Sequence, residues 1–167
     1  MKYFTADLLT RLNSPVEAEA NAADAEWDRR LEQYEEEVRR MEPGLPDHIR
    51  AYHALLLHDA RVCCMARHED QLILVLHKDI PPRDLVVITY MLAGEPVIDR
   101  DVLPATARSS VMNYDYNEFS LVREGDTSSY SESILFSNGW EVQLRFHDVR
   151  FTLADPLYAI PPQLAAG

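Results

Sequence analysis

Cysteine is scarce in this chain, and so is glycine. The two cysteines, Cys63 and Cys64, are adjacent. Neighbouring strand residues point to opposite faces, which argues against a disulfide between them, and the spacing offers no Cys-x-x-Cys metal or redox motif. Two reduced, partly buried thiols are expected. Glycines occur only singly, at Gly44, Gly94, Gly125, Gly139 and Gly167, so no glycine-rich loop is present to cradle a phosphate. No serine stands in a Gly-x-Ser-x-Gly elbow, which leaves nucleophilic catalysis without support. No apolar run approaches the roughly 20 residues of a membrane span. The opening Met-Lys-Tyr-Phe-Thr-Ala-Asp has an acid at Asp7 and no apolar stretch of signal-peptide length, so a cytoplasmic location is expected.

Positive charge is also in short supply. Lys and Arg total 16 against 28 Asp and Glu, a formal net charge of −12. Residues 1–58 carry 7 basic against 12 acidic groups and the remainder 9 against 16, so neither part hides a basic face. Nucleic-acid affinity rests on Lys and Arg neutralising phosphates, and anionic membranes repel an acidic surface, so neither is an expected partner. The simplest role of the acidity is solubility; any partner it selects is a cationic protein.

What is present reads as one globular domain of 167 residues, with 47% apolar and 26% charged positions. Thr5 caps a first short helix carrying Leu8, Leu9 and Leu12. Ser14-Pro15-Val16-Glu17 has the form of a capping box with Pro at the first helical position, and predicts a long helix ending near Met41, before Pro43 and Gly44. Trp27, Leu31, Tyr34 and Val38 fall on one stripe of it. Asp47 is placed to cap a third helix with Ile49, Tyr52 and Leu56 inward, a side that can extend to His53 and Leu57. From Ala60 the apolar period changes to two. A hairpin around His68-Glu69-Asp70 leads to Leu72–Leu76; a further strand over 84–92 follows the Pro81-Pro82 break, and an edge strand lies near 95–98. Met112, Tyr114 and Tyr116 share one side of another strand. Asn138-Gly139 then joins residues 130–136 to Trp140, Val142, Leu144 and Phe146. The prediction is an α+β fold: N-terminal helices (1–58), one of them long, packed on an antiparallel meander of about six strands (59–155), then a loose tail (156–167).

Two segments raise the question of chemistry. Leu57-His58-Asp59-Ala60-Arg61 and Phe146-His147-Asp148-Val149-Arg150 each hold a His-Asp pair with Arg two positions on. Brought together, His58, Asp59, His147 and Asp148 would supply mixed nitrogen and oxygen ligands for a divalent metal, or an acid-base cluster, as in a metal-dependent hydrolase. The structural alternative is specific. The first pair sits where helix becomes strand, and the second where the apolar phase flips, which requires an extra residue, a bulge or a tight turn; Asp suits both places because its side chain bonds nearby amides. His48, His53 and His58 are spaced by five and cannot converge on one metal from a regular helix. A third candidate is Tyr114, Asp115, Tyr116 and Glu118, a binding surface if these residues interleave on an exposed strand edge, or a strand with buried aromatics if they do not.

Met1-Lys2-Tyr3-Phe4-Thr5, Leu57-His58-Asp59-Ala60-Arg61-Val62 and the closing Asn138-Gly139-Trp140 to Phe146 with Asp148-Val149-Arg150-Phe151 resemble the bacterial family called domain of unknown function 4085. The resemblance implies a bacterial protein organised as one domain over nearly the whole chain. That family has no established activity, so the resemblance assigns no catalytic residue. The sequence expectation is a non-enzymatic, acidic protein-binding or accessory module, immunity-like, without a cofactor and monomeric or homodimeric.

Overall fold

A computed structural model describes residues 1–78, 84–124 and 127–154. The Pro81-Pro82 break and the tail over 156–167 lie outside the described residues. Helices come first: α1 (Ala6–Leu12), α2 (Glu17–Met41), a 3-10 turn at Glu42–Gly44, and α3 (Asp47–His53). Seven strands follow: β1 (Ala60–His68), β2 (Gln71–His77), β3 (Leu85–Leu92), β4 (Val97–Asp99), β5 (Asn113–Glu124), β6 (Thr127–Phe136) and β7 (Glu141–Ala154). The fold is α+β with an antiparallel sheet.

The sheet is not a simple meander. Pairing runs β3-β2-β1-β5-β6-β7-β4, and β3 also pairs with β7, so the six long strands close into a barrel. The length of β7 makes this possible. Residues Glu141–Phe146 pair with β6, while Phe146–Ala154 pair with β3. Between these stretches His147 is an extra residue: Leu92 faces Phe146 and Met91 faces Asp148. This bulge is the phase flip seen in the sequence, and it keeps Phe146 and Val149 both buried. The ring closes weakly elsewhere, because β1 meets β5 only at Ala60–Tyr114 and Arg61–Asn113.

Alternation fills the interior. Leu72, Leu74 and Leu76 on β2, Val86, Ile88 and Tyr90 on β3, and Val142, Leu144 and Phe146 on β7 are buried in one cluster. Each such side chain contributes roughly 1.5–3 kcal/mol by leaving water. Helix α3 adds Ile49 and Tyr52 to the same cluster. At the Asn138-Gly139 turn, Gly139 has φ 87° and a Cβ there would lie 2.9 Å from the Arg108 side chain, so glycine is required.

Several local expectations need correction. Helix α2 begins at Glu17 after Val16, and the Ser14 hydroxyl donates to Glu19 rather than closing a box with Glu17. Pro46, not Asp47, precedes α3, and Asp47 pairs with Arg50 inside its first turn. Because α3 stops at His53, Leu56 is 71% exposed, whereas Leu57 is buried as expected. Cys63 and Cys64 are free and exposed, and the register of β1 against β2 shifts between Val62 and Cys64. Among the described residues no helix is long and apolar enough to cross a membrane.

Candidate functional site

Strand β5 starts with an irregularity that decides the surface beside it. Tyr114 pairs with Phe136 and Tyr116 with Leu135, leaving Asp115 as an extra residue. Tyr114 therefore points into the barrel and Tyr116 away from it, so the two do not share a side as simple alternation predicts. Outside the barrel, Tyr116 meets Phe4 and Trp27, with ring centroids 5.9 and 4.8 Å away. The His58 ring lies 5.0 Å from it.

The apolar stripe of α2 does not close onto the sheet. Between α2 and β5 runs a groove of about 580 Å³. Phe4, Trp27, Leu31, Tyr34, Val38 and Tyr116 form its apolar walls; His53, His58, Asp115 and Asn117 supply polar groups, and Glu35, Arg39 and Glu42 complete the lining. Leu31 is 36% exposed although it belongs to the stripe. The volume lies in the range of small-ligand and side-chain pockets.

Asp115 is the electrostatic centre of the groove. Burial, then the neighbouring Asp59 carboxylate, raises its pKa to about 6, with His58 pulling the other way. The His58 Nδ1–H donates to the Asp115 carbonyl oxygen, and its Nε2 lies 3.4 Å from an Asp59 oxygen. Among the described residues no Lys or Arg forms an ion pair with Asp115. His53, at the end of α3, has its pKa lowered by burial. The end of α3 and the following turn bring His53 and His58 to the same groove, a juxtaposition that regular helical spacing does not predict.

One end of the groove depends on a strap. The backbone amides of Lys2, Tyr3 and Phe4 donate to the Glu118 carboxylate at 2.6, 2.6 and 2.7 Å. These bonds fix Phe4 against Trp27, 4.8 Å away. Glu118 and Tyr114 are buried, so neither is available as the contact surface expected of them. Asp115 and Tyr116 are the part of that patch which reaches the groove.

Asn117 links the groove to the barrel interior. Its amide donates to Glu132 at 2.8 Å, while the Tyr52 and Tyr114 hydroxyls donate to the same carboxylate at 2.6 and 2.8 Å. Since Tyr52 spends its proton on Glu132, Tyr90 donates to Tyr52, 2.7 Å away. Burial raises the Glu132 pKa, and hydrogen bonds from Tyr52, Tyr114 and Asn117 oppose the rise. Neighbours that all donate suit a carboxylate, and here they tie α3 to β3, β5 and β6.

The two His-Asp pairs meet different neighbours. Asp59 adopts φ 63° and its amide donates to the Tyr114 carbonyl at 2.9 Å, so it shapes the entry into β1. Asp148 accepts from His48 Nε2 at 2.6 Å and lies 3.7 Å from Arg150, while His147 occupies the exposed bulge. Among the described residues no group of three or more His, Cys, Asp or Glu is placed to hold a metal ion. No protein-family model matches the chain, and no curated protein matches it.

Proposed function

We propose that this chain is an acidic binding or accessory module of the bacterial cytoplasm, immunity-like in its mode of action, which holds a cationic protein partner at the groove between α2 and β5. The observation that carries the reading is Asp115, a partly buried carboxylate in an apolar groove with no Lys or Arg partner among the described residues. A buried charge is costly unless paired, and a partner's cation supplies the pairing. The formal net charge of −12 adds long-range attraction and faster encounter with a basic protein.

The test is capture from bacterial lysate with the wild-type chain and with Leu31→Glu, a change on an exposed wall of the groove. A basic protein held by the wild type, released by salt and lost in Leu31→Glu is the expected result. A partner retained equally by Leu31→Glu would overturn the groove as its site, and capture of no basic protein would overturn the reading.

A further inference from the structure

We infer that the groove recognises one cationic side chain by its charged head and aliphatic stem together, with the head at Asp115 and the stem along α2. The inference rests on the proposed binding role and names the chemistry that the site selects.

Position supports it. Tyr116 touches Trp27, Phe4 and His58, so Asp115 lies at the aromatic end of the groove. Trp27 and Tyr116 meet edge to face, 67° apart. A cation beside them gains attraction from the ring quadrupoles as well as from the carboxylate. From Trp27 the apolar wall continues through Leu31 to Val38, roughly 16 Å along the helix at 1.5 Å per residue. That run accommodates methylene groups and the apolar residues flanking a basic one. Groups without a stem, such as simple metal ions, leave this wall uncovered; neutral stems leave Asp115 unpaired.

The surrounding charges set the polarity. The loop contributes His58 and Asp59, α2 contributes Glu35 and Arg39, the 3-10 turn Glu42 and α3 His53. Arg39 already engages Glu36. With Asp115 ionised, the carboxylates outnumber the remaining cations, so an incoming positive charge is favoured. A proton competes for the same carboxylate, which makes recognition weaken in acid.

The experiment follows the amide signals of Asp115 and Tyr116 and the Trp27 indole signal by NMR in the full chain. Three probes are titrated: acetyl-Leu-Arg-Leu-amide, acetyl-Leu-Lys-Leu-amide and the neutral acetyl-Leu-norleucine-Leu-amide. At pH 7.5 at least one basic peptide is expected to bind ten times or more tightly than the neutral one. That preference should disappear in Asp115→Asn and fall at pH 5, while the neutral peptide is unaffected by either change. Equal binding of all three would overturn the inference yet leave the groove as an apolar docking site. Binding of no peptide would also overturn it, while the proposed protein partner stands or falls separately by the Leu31→Glu capture.

Discussion

Asp115 sits in surroundings that favour its neutral form, and that has a measurable consequence for stability. Its folded pKa of about 6 exceeds the 3.8 of an ordinary aspartate, so the favourable contribution of the protonated group is present in acid and is lost as pH rises between these values. Asp115→Asn is therefore expected to raise the melting temperature at pH 7.5 and to have little effect near pH 4. Because water still reaches the carboxylate, the gain is about 1 kcal/mol rather than the full value of the shift. Equal effects at both pH values would contradict this assignment. In the proposed binding role such a residue would trade stability for function, as unpaired charges at functional sites do. Glu132 is the opposite case, because its neighbours are spent on it. Glu132→Ala leaves the Tyr52 and Tyr114 hydroxyls and the Asn117 amide without their acceptor, at about 4 kcal/mol in urea unfolding. Glu132→Gln keeps an acceptor and should cost about half as much. Two variants of near wild-type stability would remove the network from the account of the fold.

Elements were legible in the sequence wherever periodicity dominates. Strand β7 follows the alternation of its apolar residues, β2 and β3 coincide with the continuous apolar runs at 72–76 and 85–92, the Asn138-Gly139 turn lies where that dipeptide places it, and α2 ends at Met41 before Pro43. The flip at His147-Asp148 announced a bulge, and the bulge is there. Barrel closure was not legible, because it depends on β7 reaching β3 across a long sequence separation rather than on any local pattern. The bulge at Asp115 was missed for a different reason: Met112, Tyr114 and Tyr116 are all apolar enough to face inward, so the sequence carries no visible phase change. One signal was available and unused. Glu132 shares the parity of Tyr130, Ile134 and Phe136, which marks an acid on the inner face of β6. The His147 bulge can be tested directly. Deleting His147 reverses the facing of Val149, Phe151 and Leu153 relative to Phe146, and the chain is expected to lose its cooperative melt. His147→Ala, an exposed change, should fold normally by circular dichroism.

At the scale of the whole molecule, the acidic charge and the groove act over different distances. In the proposed binding role net charge would govern encounter and be screened by salt, whereas the partly buried Asp115 would govern retention and be screened less. Salt should therefore slow association with a basic partner far more than it speeds release, a difference that stopped-flow mixing resolves. The barrel has an asymmetry of its own. Five of its six junctions are long ladders, and the sixth joins β1 to β5 at two residue pairs. Under thermal fluctuation that short junction is the cheapest place for the cylinder to part, carrying the β1–β2 hairpin outward like a hinged stave. In native-state hydrogen exchange the amides of β1 should accordingly exchange through a subglobal opening of lower free energy than those of β6, whose ladders on both sides release only when the whole molecule unfolds.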